Sequence, residues 1–66
     1  MMHKGFLIES EIDYDLDPPV RVWTGYKQEW DEYSKEYIWV YIRGTADGSL
    51  KGCKSNIDDL VEEGHI

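Results

Sequence analysis

The sequence predicts a small α+β domain: an antiparallel sheet of about four strands with one C-terminal helix packed on one face. Three features of the chain point there. A nearly perfect apolar alternation follows the N-terminus, two runs of branched and aromatic residues occupy the middle, and a capped apolar stripe closes the chain. The 66 residues are read as one domain, residues 1–66, because so short a chain buries too little surface for two cores. Its single cysteine cannot form an internal disulfide, so stability must come from packing, a partner or a second copy of the chain.

The first element is "FLIESEIDYDLD", residues 6–17. Phe6, Ile8, Ile12, Tyr14 and Leu16 take the even positions, and only Ser10 among them is polar. Leu7, Glu9, Glu11, Asp13, Asp15 and Asp17 take the odd ones. Period two over this length predicts a half-buried strand with its even face inward. Pro18 and Pro19 stop it, since neither can donate to a ladder.

The next two elements are "VRVWTGYKQEW" and "YIWVYIRG", joined by the polar "DEYSK". A turn centred near Tyr33 makes them an antiparallel hairpin in which Thr24 faces Ile42 and Tyr26 faces Val40. On the other face Trp23 meets Arg43 and Lys27 meets Trp39, as cation–π pairs. Ile38, Val40 and Ile42 then form an aliphatic face, and Tyr37, Trp39 and Tyr41 an aromatic one.

Asp47-Gly48 predicts a two-residue primed turn, pairing Ile42 with Cys53 and Thr45 with Leu50 in a fourth strand. "SNIDDLVEEG" then predicts a helix of about two turns, with Ser55 as N-cap, Asp58 and Asp59 early, and Gly64 as stop. Its stripe of Ile57, Leu60 and Val61 is expected to cover Phe6, Ile8, Ile12, Ile38, Val40 and Ile42, since so short a helix is not stable alone.

Charge narrows the function classes. Fourteen acidic residues against seven basic ones give a net charge of -7. Such a chain repels nucleic acid and anionic membranes and is drawn to basic protein surfaces. No run is long enough for a signal-peptide core or a membrane span, and the free cysteine fits a reducing compartment, so a cytoplasmic location is expected. "DYDLDPP" opens like a calcium loop, but Pro18 and Thr24 stand where the loop requires Gly and Glu. His3, Cys53 and His65 could in principle meet as metal ligands, but the two histidines lie near the termini and Cys53 is expected to be buried; no Gly-rich phosphate loop or nucleophile–base signature occurs. Neither metal nor cofactor is expected, and the chain does not read as an enzyme.

Two sets of residues are candidate partner-binding sites. Glu9, Glu11, Asp13, Asp15 and Asp17 would stand about 6.7 Å apart along one strand face, close to the spacing of successive phosphates. Such a row could occupy a Lys/Arg groove built for nucleic acid, or it could only guard a sheet edge against pairing. Trp23, Tyr37, Trp39 and Tyr41 form the second set, on a face that one short helix cannot also cover. Tyr26 and Trp30 are assigned to the core.

The composition is of the kind found in small phage-encoded proteins that disarm host nucleases, including anti-CRISPR and anti-restriction proteins, although no family motif is present. The leading expectation is therefore a stoichiometric inhibitor or decoy that blocks the basic groove of a nuclease or other nucleic-acid-binding complex, acting in the host cytoplasm if phage-encoded. The alternative is a non-inhibitory interaction module or small subunit that docks through its aromatic face on a partner or on a second copy.

Overall fold

The computed structural model describes all 66 residues and has the α+β architecture expected, a four-stranded antiparallel sheet with one C-terminal helix. The strands are β1 (Met2–His3), β2 (Phe6–Asp13), β3 (Val20–Asp31) and β4 (Glu36–Tyr41), in that spatial order, followed by α1 (Leu50–Glu62).

The fourth strand is not the one the sequence suggested. Instead of a strand after Asp47-Gly48, the sheet gains β1, which pairs His3 with Phe6 across a two-residue turn. Lys4 and Gly5 both take positive φ there (51° and 85°), the backbone of a primed hairpin turn. Asp47 enters no turn between strands. Its backbone bridges Trp23 in both directions, while its carboxylate accepts from the Ser49 amide and hydroxyl at 3.0 and 2.8 Å.

Those bonds start α1 six residues earlier than expected. Ser49, not Ser55, is the N-cap, and its hydroxyl accepts from the Gly52 amide. Gly52 is needed here because a Cβ would run into the Asp47 carboxylate. At the other end Gly64 ends the helix as the sequence suggests. Its φ is 79°, its amide donates to the Val61 carbonyl, and the His65 amide donates to that of Leu60. That pair of bonds satisfies carbonyls of the last turn.

The β3–β4 register differs from the expected one by a single residue: Tyr26 faces Tyr41, Gln28 faces Trp39 and Trp30 faces Tyr37. The cause is the loop. Asp31 accepts from the Ser34 hydroxyl and the Tyr33 amide, which in that order hold its carboxyl below the usual carboxylate range. Its carbonyl accepts from the Lys35 amide, and Lys35 takes a φ of 57°. Residues 32–35 therefore make a four-residue loop, whose centre falls between two residues rather than on Tyr33. A one-residue slip moves side chains of one strand to the opposite face relative to the other. Lys27 accordingly faces Val40 and pairs with Glu29 at 3.1 Å, and the expected cation–π pairs do not form.

The helix lies on the face that carries Phe6, Ile8, Trp23, Gly25 and Ile42. Ile8, Cys53 and Ile57 make the buried centre, with Phe6, Trp23, Leu50 and Ile66 packed around it. Close approach depends on Gly25, where a Cβ would stand 3.0 Å from Ile57 Cδ1 and 3.2 Å from Thr45 Cβ. Beside it β4 leaves the ladder after the Ile42 amide donates to the Gly25 carbonyl. The buried Thr45 hydroxyl then substitutes for the missing strand, accepting from the Gly25 amide at 2.9 Å and donating to the Ile42 carbonyl at 2.8 Å. Asp58 ties α1 to the β1 turn, 2.9 Å from Lys4 and 2.7 Å from His3. Lys4 first, then His3, holds its carboxyl below the usual range.

Only part of the expected aliphatic face is covered. Ile8 and Ile42 are buried, whereas Ile12 and Ile38 stay exposed because the helix sits over the middle of the sheet. Cys53 is fully buried as expected, but on the helix instead of a strand. Burial pushes its thiol pKa up, and the Asp47 carboxylate adds to the shift. Since the thiolate is the reactive form, native Cys53 is expected to label only as fast as the domain opens. Labelling with a thiol reagent across a urea titration checks this, and fast labelling without denaturant would contradict the packing.

Candidate functional site: the open sheet face

The face opposite α1 carries no second layer. It is built from the odd residues of β2, the even residues of β3 and the odd residues of β4, which the two registers bring to one side. β3 is long enough to serve two partners in series. Its first half, Val20 to Tyr26, pairs with β2, and its second half, Tyr26 to Asp31, pairs with β4. The open face therefore has two ends, which meet at Leu7, Tyr26 and Tyr41.

The acidic end holds Glu9, Glu11 and Asp13, opposite Thr24, Val22 and Val20. Glu9 and Glu11 are exposed, and Asp13 is partly so. β2 ends at Asp13, so the strand row has three carboxylates where the sequence suggests five. Asp15 and Asp17 lie in the turn before β3, which folds back when the Asp13 carboxylate accepts the Asp15 amide at 3.0 Å. That bond closes an Asx turn and ends the alternation before the prolines do.

The aromatic end holds Tyr26, Trp30, Tyr37, Trp39 and Tyr41. Tyr26 and Tyr41 meet edge to face with centroids 6.3 Å apart, and Trp30 and Tyr37 do so at 5.1 Å. Trp39 stands between the two pairs, opposite Gln28. Nothing in the chain covers them: Trp30 is 48% exposed, Tyr37 64%, Trp39 42% and Tyr41 52%. Aromatic rings left this open form a patch of the kind that marks interaction surfaces.

Two assignments from the sequence change. Trp23 does not belong to this surface; it packs on the helix side against the core. Trp30, expected in the core, is on the open face, and the half-buried Tyr26 points the same way. One cause explains both, because the register slip exchanges the odd and even residues of β3 relative to β4. Pairing a four-residue loop with the same strands would have revealed them.

Acids and aromatics thus share a face without sharing a spot. Val20 and Trp30 are ten positions apart on β3, roughly 33 Å at about 3.3 Å per residue. On the helix side lies a separate open groove of about 520 Å³ between β4 and the end of α1. Val40, Ile42, Leu60 and Ile66 line it together with Lys27, Glu29 and Arg43. His3 and His65 lie beside Asp58 and Glu63, and no cluster of three or more His, Cys, Asp or Glu side chains is placed to hold a metal ion. No helix is long and apolar enough to cross a membrane. No protein-family model, curated protein or solved structure matches this chain.

Proposed function

We propose that this protein is a non-catalytic binding module whose open sheet face docks on a protein with a basic surface. The observation that carries this reading is the five-ring aromatic end, which no element of the chain covers. Exposed aromatic rings cost solubility in an isolated domain, and a partner that desolvates them gains their area as binding energy. The acidic end complements this by attracting basic partners at long range and rejecting acidic ones. A net charge of -7 makes that bias a property of the whole chain.

A second reading is favoured by one observation. Glu9 and Glu11 are exposed at alternate strand positions, a spacing close to that of phosphates. On this reading the protein is a decoy, an inhibitor that occupies the basic groove of a nuclease or other nucleic-acid-binding protein. A row of three carboxylates supports it less than a row of five.

Salt and charge separate the two readings. Glu9→Gln, Glu11→Gln and Asp13→Asn together should leave capture of the same basic protein from lysate, weakened and less sensitive to salt, since a lost rim charge mainly slows encounter. Mass spectrometry of the captured proteins at low and high salt measures this. Complete loss of that protein with the triple variant would favour the charge decoy over aromatic docking.

A further inference from the structure

The two long edges of the sheet are treated differently. Beyond the β1 pairing, the β2 edge carries Glu9, Glu11 and Asp13 and runs into Pro18 and Pro19, features that discourage another strand. The β4 edge has none of these from Tyr37 to Tyr41, where the residues are Tyr, Ile, Trp, Val and Tyr. They favour strand, include no charge and no proline, and β4 has no neighbour on its outer side.

The hydrogen-bond phase of that edge follows from Ile42, whose amide donates inward to the Gly25 carbonyl. Inward and outward groups alternate along an antiparallel strand. Val40 and Ile38 therefore point their backbone groups toward β3, while Tyr37, Trp39 and Tyr41 point theirs out to solvent. The three residues with free backbone groups are the ones whose side chains form the β4 row of the aromatic face.

We propose that the outer edge of β4 is a strand-addition site for an extended, Lys/Arg-rich segment of a partner protein, which pairs with the backbone of Tyr37, Trp39 and Tyr41. The proposal rests on the docking reading above and specifies its geometry. A strand added there would lay alternate side chains beside the three rings, where cationic groups gain cation–π attraction. Its backbone would satisfy the free donors and acceptors, the usual source of affinity in strand addition. Charge selects against a second copy. Two chains of net charge -7 repel one another, whereas a Lys/Arg-rich segment is attracted.

Amide hydrogen exchange on the full chain, followed by NMR, tests this with an alternating Lys–Val peptide of roughly ten residues as the probe. With the peptide at ten times its dissociation constant, exchange at Tyr37, Trp39 and Tyr41 should slow about tenfold. Ser10 and Ile12, whose amides face the opposite edge, should not change. A Glu–Val peptide of the same length should give no protection. Ring shifts without amide protection would overturn strand addition and leave the docking reading standing. No binding, or equal protection by the Glu–Val peptide, would overturn the proposal. So would protection that grows with protein concentration alone, which would assign the edge to self-association.

Discussion

Ile57→Ala is expected to leave a large share of the protein unfolded at ambient temperature. Ile57 is fully buried between Ile8, Cys53 and Gly25, and its Cδ1 fills the space that Gly25 leaves empty. Truncating a side chain so placed removes its transfer energy and opens a cavity that a sheet-bound helix cannot close, a cost of about 2–5 kcal/mol. A domain this small holds only about 3–5 kcal/mol in its core, so the loss is comparable to its whole stability. Val61→Ala, on the same helix but at a position 37% exposed, should cost well under about 1 kcal/mol. Urea melts of the two variants side by side measure the difference, and equal melting would mean that α1 is not seated on Gly25.

Thr45→Val should be nearly as damaging, although the two side chains have the same branched shape. The Thr45 hydroxyl is the only side-chain group that bridges Gly25 and Ile42 where β4 departs from β3. Valine leaves the Gly25 amide buried without an acceptor and deprives the Ile42 carbonyl of a donor. An orphaned buried group costs about 1–3 kcal/mol, so the loss of both bonds should total roughly 2–4 kcal/mol. Thr45→Ser keeps both bonds and loses one methyl, about 1 kcal/mol. Chemical denaturation that ranks serine well above valine supports the bridge, and the reverse order would contradict it.

The fold class was legible because it depends on broad patterns. Alternation in β2, branched and aromatic runs in β3 and β4, and the Gly64 stop each reflect a local preference that the structure keeps. Element identity after Asp47 was not legible. Asp-Gly suits a hairpin turn, but the same Asp side chain can anchor Ser49 as a helix cap. Leu50, Cys53, Ile57 and Leu60 then supply a helical stripe, which Gly52 obscures in the sequence. The candidate surface was half legible for a related reason. Periodicity identifies which residues of one strand share a face, but the relation between two strands depends on loop length. The carboxylate of Asp31 fixed the loop at four residues, and that placed Trp30 on the open face and Trp23 on the helix side.

The aromatic face as a binding surface is tested most directly by Trp39→Ser, measured for stability and for partner capture together. Trp39 belongs to neither edge-to-face pair and is 42% exposed, so serine should destabilise the domain less than Ile57→Ala, and the melt fixes the temperature at which capture is compared on folded protein. Buried against a partner, the same ring would act as an anchor worth about 2 kcal/mol or more, roughly thirtyfold in affinity. The expected result is a folded variant that loses its captured partner while the wild-type chain retains it. A folded Trp39→Ser variant that captures the same protein at full strength would contradict the account.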